Sequence, residues 1–333
     1  MTMRWVDAEA LRKTIGFEDL IEPVARVFQD FSAGLAESGL VTMFPGASQE
    51  LGDVYVKTGS IRGHAVYIVK VSPWFAINAA QGRSQGGFIA VFDALTGHTR
   101  AILAEEHYLS DIRTAAAGAL AARLLAPATV RTAAVFGTGA QAFWQPRALY
   151  RERRFDELVI WGRDSRKVEV LIERLAPHLP GVRIRSESSL EAAVQSADVL
   201  LTSTSTRIPL IRGEWLRPGQ HITAIGADDA TKCELDARCL LRADRLIVDS
   251  VEAAKANGDI YRHLSSGSIT LDHVHGEIGD VLSGRLKGRT DAHEITIAKF
   301  IGLGVQDLAA AEASLSMLGQ FNNEAPAAIP LSD

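Results

Sequence analysis

Cysteine is nearly absent: Cys233 and Cys239 are the only two in 333 residues. They stand six apart with no second pair, which excludes a disulfide framework or a zinc knuckle and leaves them as packing residues. Long apolar runs are missing too. None approaches the roughly 18 residues of a membrane span, and the start, MTMRWVDAEALRK, lacks the unbroken apolar core of a signal peptide. The expectation is a cytoplasmic protein with no membrane partner. Charge of one sign is also lacking: the net charge is -5 and the basic residues are scattered, so there is no electrostatic footprint for nucleic acid. His273 and His275 form an HxH, but no further His, Cys or acidic cluster at ligand spacing accompanies them, and no metal is expected. What remains, 47% hydrophobic and 23% charged, is ordinary globular composition, and the length suffices for two domains.

Against that background AVFGTGAQA, Ala134 to Ala142, stands out: an apolar run stops at Gly137 and opens a GxGxxA pattern through Gly137, Gly139 and Ala142. Such a pattern is a strand turning into a helix over a phosphate. Gly137 permits the tight turn, Gly139 lets the backbone approach a pyrophosphate, and Ala142 allows close helix-on-strand packing. Glycine-rich turns also serve as bare helix caps, so context decides. VRTAAV precedes as a strand, a helix-compatible segment follows, and a second strand, LVIW, comes about twenty residues on, as a dinucleotide unit requires.

Upstream, Leu20, Ile21, Val24, Val27, Phe28, Phe31 and Leu35 lie at helical spacing and predict a helix over Asp19 to Leu35 with one buried face. DVYVKTG, HAVYIVKVS, GFIAVFD and TRAILA have strand character and predict an antiparallel or mixed sheet. From Ser110 the alanine-rich SDIRTAAAGALAARLLA predicts a helix with Ser110 as N-cap. Beyond the glycine motif LVIW, VRIR, DVLLTST, HITAIG and RLIVDS alternate with helical runs, which argues a parallel sheet covered on both faces and complete by about Ser250. The final helix in GLGVQDLAAAEASLSMLG then returns to the first domain. The expected fold is α/β: a Rossmann-type doubly wound parallel sheet, residues 116–300, inserted into an α+β domain made of residues 1–115 and 301–333.

Three residues carry candidate chemistry. In HAVYIVKVS, alternation puts His64, Val66, Ile68 and Lys70 on one face, so Lys70 ends an apolar stripe where an ammonium is costly unless paired. A carboxylate partner is expected; the plain alternative is a lysine snorkelling from the strand end. Arg113, in the first turn of the helix capped by Ser110, sets a guanidinium beside free backbone N–H groups, a seat for an anion. Bonding to Asp111 is its structural alternative. Asp228, in GADDATKCELD, follows HITAIG at the carboxyl end of a strand, where an acid/base is useful, though turn and N-cap aspartates are commonplace there. Ser203, Thr204 and Ser205 form a polar strand end suited to the cofactor cleft. Thr114, behind Arg113, and Ala140 and Gln141, in the glycine turn, complete that set. Ser84 stands in a loop able to close over a substrate.

At the end of the second strand the chain reads IWGRDSRK. The position where an acid would bond the ribose of NAD is Gly162, which repels no phosphate. Arg163 follows, with Ser165, Arg166 and Lys167 beside it, so a 2′-phosphate meets a guanidinium, a hydroxyl and a helix N-terminus. The expected cofactor is NADP. NAD is the alternative, through Asp164, if the strand ends one pair further on.

IVKV around Lys70, LSDIRTAAAGALAAR around Arg113, FGTGAQA at Gly137, IGADDATKCELD at Asp228, VDS at Asp249 and GLGVQDLAAA near Asp307 occur in the order found in the ornithine cyclodeaminase/mu-crystallin family. The chain resembles that family from roughly Val41 to Ala311. The resemblance implies a homodimer, each subunit with a substrate-binding and dimerisation domain built from both chain ends plus a Rossmann domain, and hydride transfer at an amino-acid Cα. Carried over, Lys70 and Arg113 hold the substrate carboxylate and Asp228 is the acid/base near the amine, with Lys70 counted beside Asp228 in the catalytic set. Two departures stand out. Relatives carry an arginine shortly after a proline where this chain reads PGASQ, with none at Gly46, Ala47 or Ser48; Lys57 or Arg62 is the candidate replacement. Where relatives often have a serine, this chain has Phe300.

The expected function is that of an NAD(P)-dependent enzyme transferring hydride at the Cα of an α-amino acid or its imine, as an imino-acid reductase or amino-acid dehydrogenase. A cyclodeaminase that returns the hydride after ammonia leaves is the alternative. A non-catalytic binder of a ligand or nucleotide, as in mu-crystallin, is a third reading, against which Asp228 counts.

Overall fold

The computed structural model describes residues 3–46, 51–79 and 86–319. The chain forms two compact units, one of the residues up to Arg113 with those from Leu303 on, the other Thr114–Gly302.

The first unit starts with β1 (Arg4–Asp7), α1 (Ala8–Thr14), α2 (Phe17–Ser32), β2 (Ala36–Met43), β3 (Gly52–Ile61) and β4 (Val66–Phe75). The single turn α3 (Ala76–Ala79), β5 (Phe88–Asp93) and β6 (Thr99–Ala104) follow. The strands form one sheet in the order β1-β6-β5-β4-β3-β2, antiparallel except for the parallel β1 and β6. α2 buries Leu20, Ile21, Val24, Val27 and Phe28 of the apolar face read from the spacing, together with Phe17, while Phe31 is half-buried. It ends before Leu35, which is exposed, because the chain must turn through Gly34, at φ +73°, to enter β2. Neither β1 nor β2 carries a strand signal: RWVD is short and AESG is poor in β-formers, so pairing with β6 and β3 decides them. His64 lies in the turn before β4 and is not part of the strand stripe that ends at Lys70.

α4 (Tyr108–Leu125) carries the boundary between Arg113 and Thr114. The second unit continues with β7 (Thr132–Phe136), α5 (Ala140–Glu152), β8 (Glu157–Trp161), α6 (Ser165–Leu175), β9 (Arg183–Ser186), α7 (Leu190–Ser196), β10 (Val199–Thr202) and β11 (His221–Ala224). It ends with α8 (Ala237–Leu241), β12 (Arg245–Val248), α9 (Val251–Ala256), α10 (Gly258–Ser265), β13 (Gly276–Glu277), α11 (Ile278–Leu282) and β14 (Thr296–Lys299). All eight strands are parallel, in the order β13-β12-β14-β11-β10-β7-β8-β9. Alternate residues feed two cores, Ala134, Phe136 and Leu200 on one face and Val135, Ile160 and Leu201 on the other. The sheet is a Rossmann-type doubly wound α/β layer. It is not complete at Ser250: β14 enters between β11 and β12. Strand order reverses between β7 and β10, so their carboxyl ends are the physical place for a ligand.

α12 (Gly304–Met317) belongs to the first unit and packs on α2, β3 and β4. Its start lies so close to β3 that a Cβ on Gly59 would stand 2.5 Å from the Gly304 carbonyl oxygen. Among the described residues no helix is long and apolar enough to cross a membrane.

Candidate active site

In the first unit the carboxylate partner of Lys70 is Asp307, supplied by α12. Lys70 Nζ donates to Asp307 Oδ1 at 2.9 Å and to Ser110 Oγ at 3.0 Å. Arg113 Nε donates to the same Oδ1 at 3.1 Å, and its terminal nitrogen donates to Gln306 Oε1 at 3.2 Å. Lys70, Arg113 and Asp307 are 2%, 6% and 0% exposed, so the triad is a buried ionic knot. Burial alone would raise the Asp307 carboxyl; the charges of Arg113, then Lys70 and Lys57, outweigh it and hold the group below the usual carboxylate range. Lys57 is buried directly opposite Lys70 in the antiparallel ladder, hence on the same sheet face. Arg62 is exposed in the turn after β3.

Two local expectations change. α4 begins at Tyr108 after Glu106 and His107, both at positive φ, so Ser110 lies inside the first turn and is not the N-cap. Buried Glu105 does the capping, accepting Ser110 N–H at 2.8 Å and Ser110 O–H at 2.7 Å. Arg113 therefore stands in the second turn, and Asp111 pairs with His107 at 3.1 Å instead.

In the second unit Gly137 has φ +123°, and a Cβ there would stand 2.9 Å from the Ser203 carbonyl oxygen. Ser203 N–H donates to the Phe136 carbonyl at 3.0 Å, which draws the ends of β7 and β10 together at the point of reversal. Gly139 is the N-cap of α5 without a side-chain cap, and nothing lies within 4 Å of where its Cβ would be. A helix N-terminus without a side-chain cap, beside a glycine with room around it, is what a pyrophosphate needs. Ala142 is fully buried. Gln145 Nε2 donates to the Thr114 carbonyl at 3.0 Å and to Gln141 Oε1 at 3.1 Å, tying those two residues together; Ala140 is the first residue of α5. Thr204 N–H and O–H donate to Glu234 Oε1 at 2.6 and 2.8 Å, while Ser205 is exposed.

β8 ends at Trp161, so Gly162 follows the strand directly. A side chain at Gly162 would meet Thr138 Cγ2 at 2.7 Å and Val168 Cγ2 at 2.8 Å, a packing reason for glycine beyond phosphate repulsion. Asp164 is the N-cap of α6, accepting from Arg166 N at 3.0 Å and Lys167 N at 3.4 Å. Arg163 is exposed, and a cavity of about 190 Å³ beside it in sequence is lined by Thr138, Arg166, Lys167, Val170, Leu171 and Arg174.

Asp228 lies in the loop after β11 with its side chain 36% exposed and its Oδ1 2.6 Å from Lys232 Nζ. Ser84, Ala47 and Ser48 lie outside the described residues. Among the described residues no group of three metal-ligating side chains exists; His275 Nδ1 accepts Leu246 N–H at 3.1 Å and His273 bonds to Thr270. Burial pushes the Cys233 thiol up to about 12, an inert packing group.

The family model described as the ornithine cyclodeaminase/mu-crystallin family matches residues 6–315. The chain belongs to this family. It is 38% identical over 261 residues to an uncharacterised cyclodeaminase of Sinorhizobium fredii, covering 78% of each chain. It superposes with TM-score 0.89 and 26% identity on the structure of Thermococcus litoralis Δ1-pyrroline-2-carboxylate reductase with NADH and L-proline, over 96% of this chain and 98% of that one. An archaeal alanine dehydrogenase dimer with bound NAD gives TM-score 0.88 and 28% identity over 97% and 98%. As a member of the ornithine cyclodeaminase/mu-crystallin family the chain is an enzyme with a Rossmann-type α/β fold.

Sequence reasoning gave this family member no role for seven buried charges among the described residues: Glu105, Glu234, Asp249, Asp259, Lys299, Asp307 and Glu312. Glu234 accepts four hydrogen bonds, two from Thr204, one from Thr202 Oγ1 and one from Gly226 N–H, and so joins the ends of β10 and β11. Asp259 accepts Glu234 N–H and Leu235 N–H and lies 3.2 Å from Lys299 Nζ, which also donates to the Ala227 carbonyl. The signal was a charge beside an apolar run, as in EITIAKF; its partner was not readable.

Proposed function

We propose that this family member is an NADP-dependent enzyme acting at the Cα of an α-amino acid or its imine, as an imino-acid reductase or amino-acid dehydrogenase. The observation that carries the reading is the buried knot of Lys70 and Arg113 on Asp307. Among the described residues Lys70 commits two of its three N–H donors and Arg113 two of its five, so a substrate carboxylate can still be gripped. Holding the carboxylate fixes the neighbouring Cα and nitrogen. Lys57, on the same face as Lys70, takes the place of the family arginine absent near Gly46.

A bound nicotinamide supplies the hydride to Cα, or accepts it in the oxidative direction. Gly137, Gly139, Ala140 and Gln141 cradle its phosphates, with Thr114, Ser203, Thr204 and Ser205 as further contacts. Asp228 gives a proton to the imine nitrogen in reduction and takes one from nitrogen or the attacking water in oxidation. NADP is favoured over NAD because Asp164 is engaged as a helix cap while Arg166, Lys167 and Arg174 line a cavity of about 190 Å³ and offer cations for a 2′-phosphate, with the exposed Arg163 next to Asp164 in the chain. A homodimer is supported by the archaeal dimer with which the chain superposes, and a cytoplasmic setting by two free buried thiols. The Sinorhizobium relative keeps the cyclodeaminase reading open as the second candidate, served by the same residues.

Candidate amino acids and imines are incubated with each cofactor while absorbance and ammonia are followed. A net change in reduced cofactor is expected; ammonia release with no net change would select the cyclodeaminase. Asp228→Asn should retain ligand binding and lose about a hundredfold or more in turnover, and a variant at half the wild-type rate would remove the acid/base assignment. The efficiency ratio should favour NADPH and drop at least tenfold in Arg163→Ala, the scale of one charge-assisted bond. An NADH preference untouched by that variant would move the ribose contact to Asp164.

A further inference from the structure

We propose that Lys232 is a positioning residue for the proton exchange assigned to Asp228: its ammonium, gripped between Asp228 and Asp229, fixes which carboxylate oxygen exchanges the proton. The inference rests on Asp228 being the acid/base. Lys232 Nζ lies 2.6 Å from Asp228 Oδ1 and 3.1 Å from Asp229 Oδ2. Asp229 also accepts Lys232 N–H at 3.1 Å, so one carboxylate holds the lysine at both ends. Asp229 is itself fixed: its Oδ1 accepts Thr231 N–H at 2.6 Å and O–H at 2.7 Å, and its carbonyl accepts Gly258 N–H at 2.8 Å from the start of α10.

An ion pair between long surface side chains gains little because ordering them costs entropy. Here Asp229 has already ordered the lysine, whose side chain is 18% exposed, so the contact with Asp228 holds that carboxylate against a preset partner. Among the described residues Asp228 Oδ2 has no hydrogen bond, which leaves it as the oxygen that exchanges the proton. The other charged groups packed around this loop are engaged elsewhere. Lys299 of β14 faces Asp259 of α10 and the Ala227 carbonyl, and Glu234 spends its oxygens on Thr202, Thr204 and Gly226. In oxidation the ionised Oδ2 takes the proton from nitrogen; in reduction Oδ2–H gives it to the imine nitrogen while Cα receives the hydride, and solvent restores the proton.

The test is kcat and KM in the wild type, Lys232→Met and Lys232→Arg, with Lys232→Gln replacing the methionine variant if that fails to fold. In the neutral variant kcat should fall about tenfold with substrate KM changed less than about threefold. Lys232→Arg should restore most of the rate. An unchanged kcat in a folded, cofactor-binding neutral variant, or a loss that Lys232→Arg does not rescue, would overturn the proposal while Asp228→Asn remained inactive. Turnover retained in Asp228→Asn would instead remove the assignment beneath it.

Discussion

Asp307 shows how a single residue can organise a site it need not touch. Two cations meet on one of its oxygens with all three side chains out of water, and a third cation, Lys57, lowers its titration further. Removing one member of such a knot leaves like charges facing each other in a low dielectric. Asp307→Asn should therefore cost about 3 kcal/mol and raise substrate KM at least tenfold as Lys70 and Arg113 lose their common anchor. Thermal denaturation with substrate kinetics checks this, and an unchanged midpoint would mean that the cations are neutralised by other groups. The need for a carboxylate was legible at Lys70, because alternation put an ammonium on an apolar stripe. Its identity was not, since Asp307 lies 237 residues further on and reads as one more polar position of an alanine-rich helix.

Between elements, backbone proximity decides what sequence pattern leaves open. α12 reaches β3 only because Gly59 and Gly304 have no side chains: a Cβ on Gly304 would run into the Thr58 carbonyl. Gly304 N–H also donates to Ser38 Oγ at 2.7 Å, which ties the helix start to β2. Gly304→Ala should push the helix away from the sheet and cost about 1–3 kcal/mol, with weaker substrate use because Gln306 and Asp307 follow within one turn. Denaturant midpoints and substrate KM measure both effects; full stability in the alanine variant would show that the contact relaxes freely. β14 was hidden for a different reason. Thr296 and Lys299 make its four residues look half-exposed, yet all four are buried, Thr296 by bonding Leu125 O and His221, Lys299 by Asp259.

At the scale of the molecule, two histidines set opposite slopes of stability with pH. His64 is raised above its ordinary 6.5, first by its hydrogen bond with Glu312. Its contribution is therefore complete below about 6.5 and lost as pH rises through the folded value. His221 is pushed down to about 3, first by burial and then by the Arg289 charge, and bonds Thr296 and Thr223 as a neutral ring. The unfolded chain binds that proton sooner, so stability falls from about 6.5 toward about 3, at up to about 1.4 kcal/mol per pH unit. The thermal midpoint should thus be highest near neutrality. His221→Gln is expected to flatten the acid side and Glu312→Gln the alkaline side, and slopes untouched by either variant would assign the dependence to other groups. The sequence alone determined the doubly wound sheet, the glycine turn and the need of Lys70 for a compensating carboxylate, because periodicity, glycine spacing and a charge on an apolar stripe are local properties. Only the tertiary structure decided that α12 supplies the carboxylate of the first unit, that β14 sits inside the second unit's sheet and that Lys232 holds Asp228, because each depends on backbones and charges meeting in space rather than on any order along the chain.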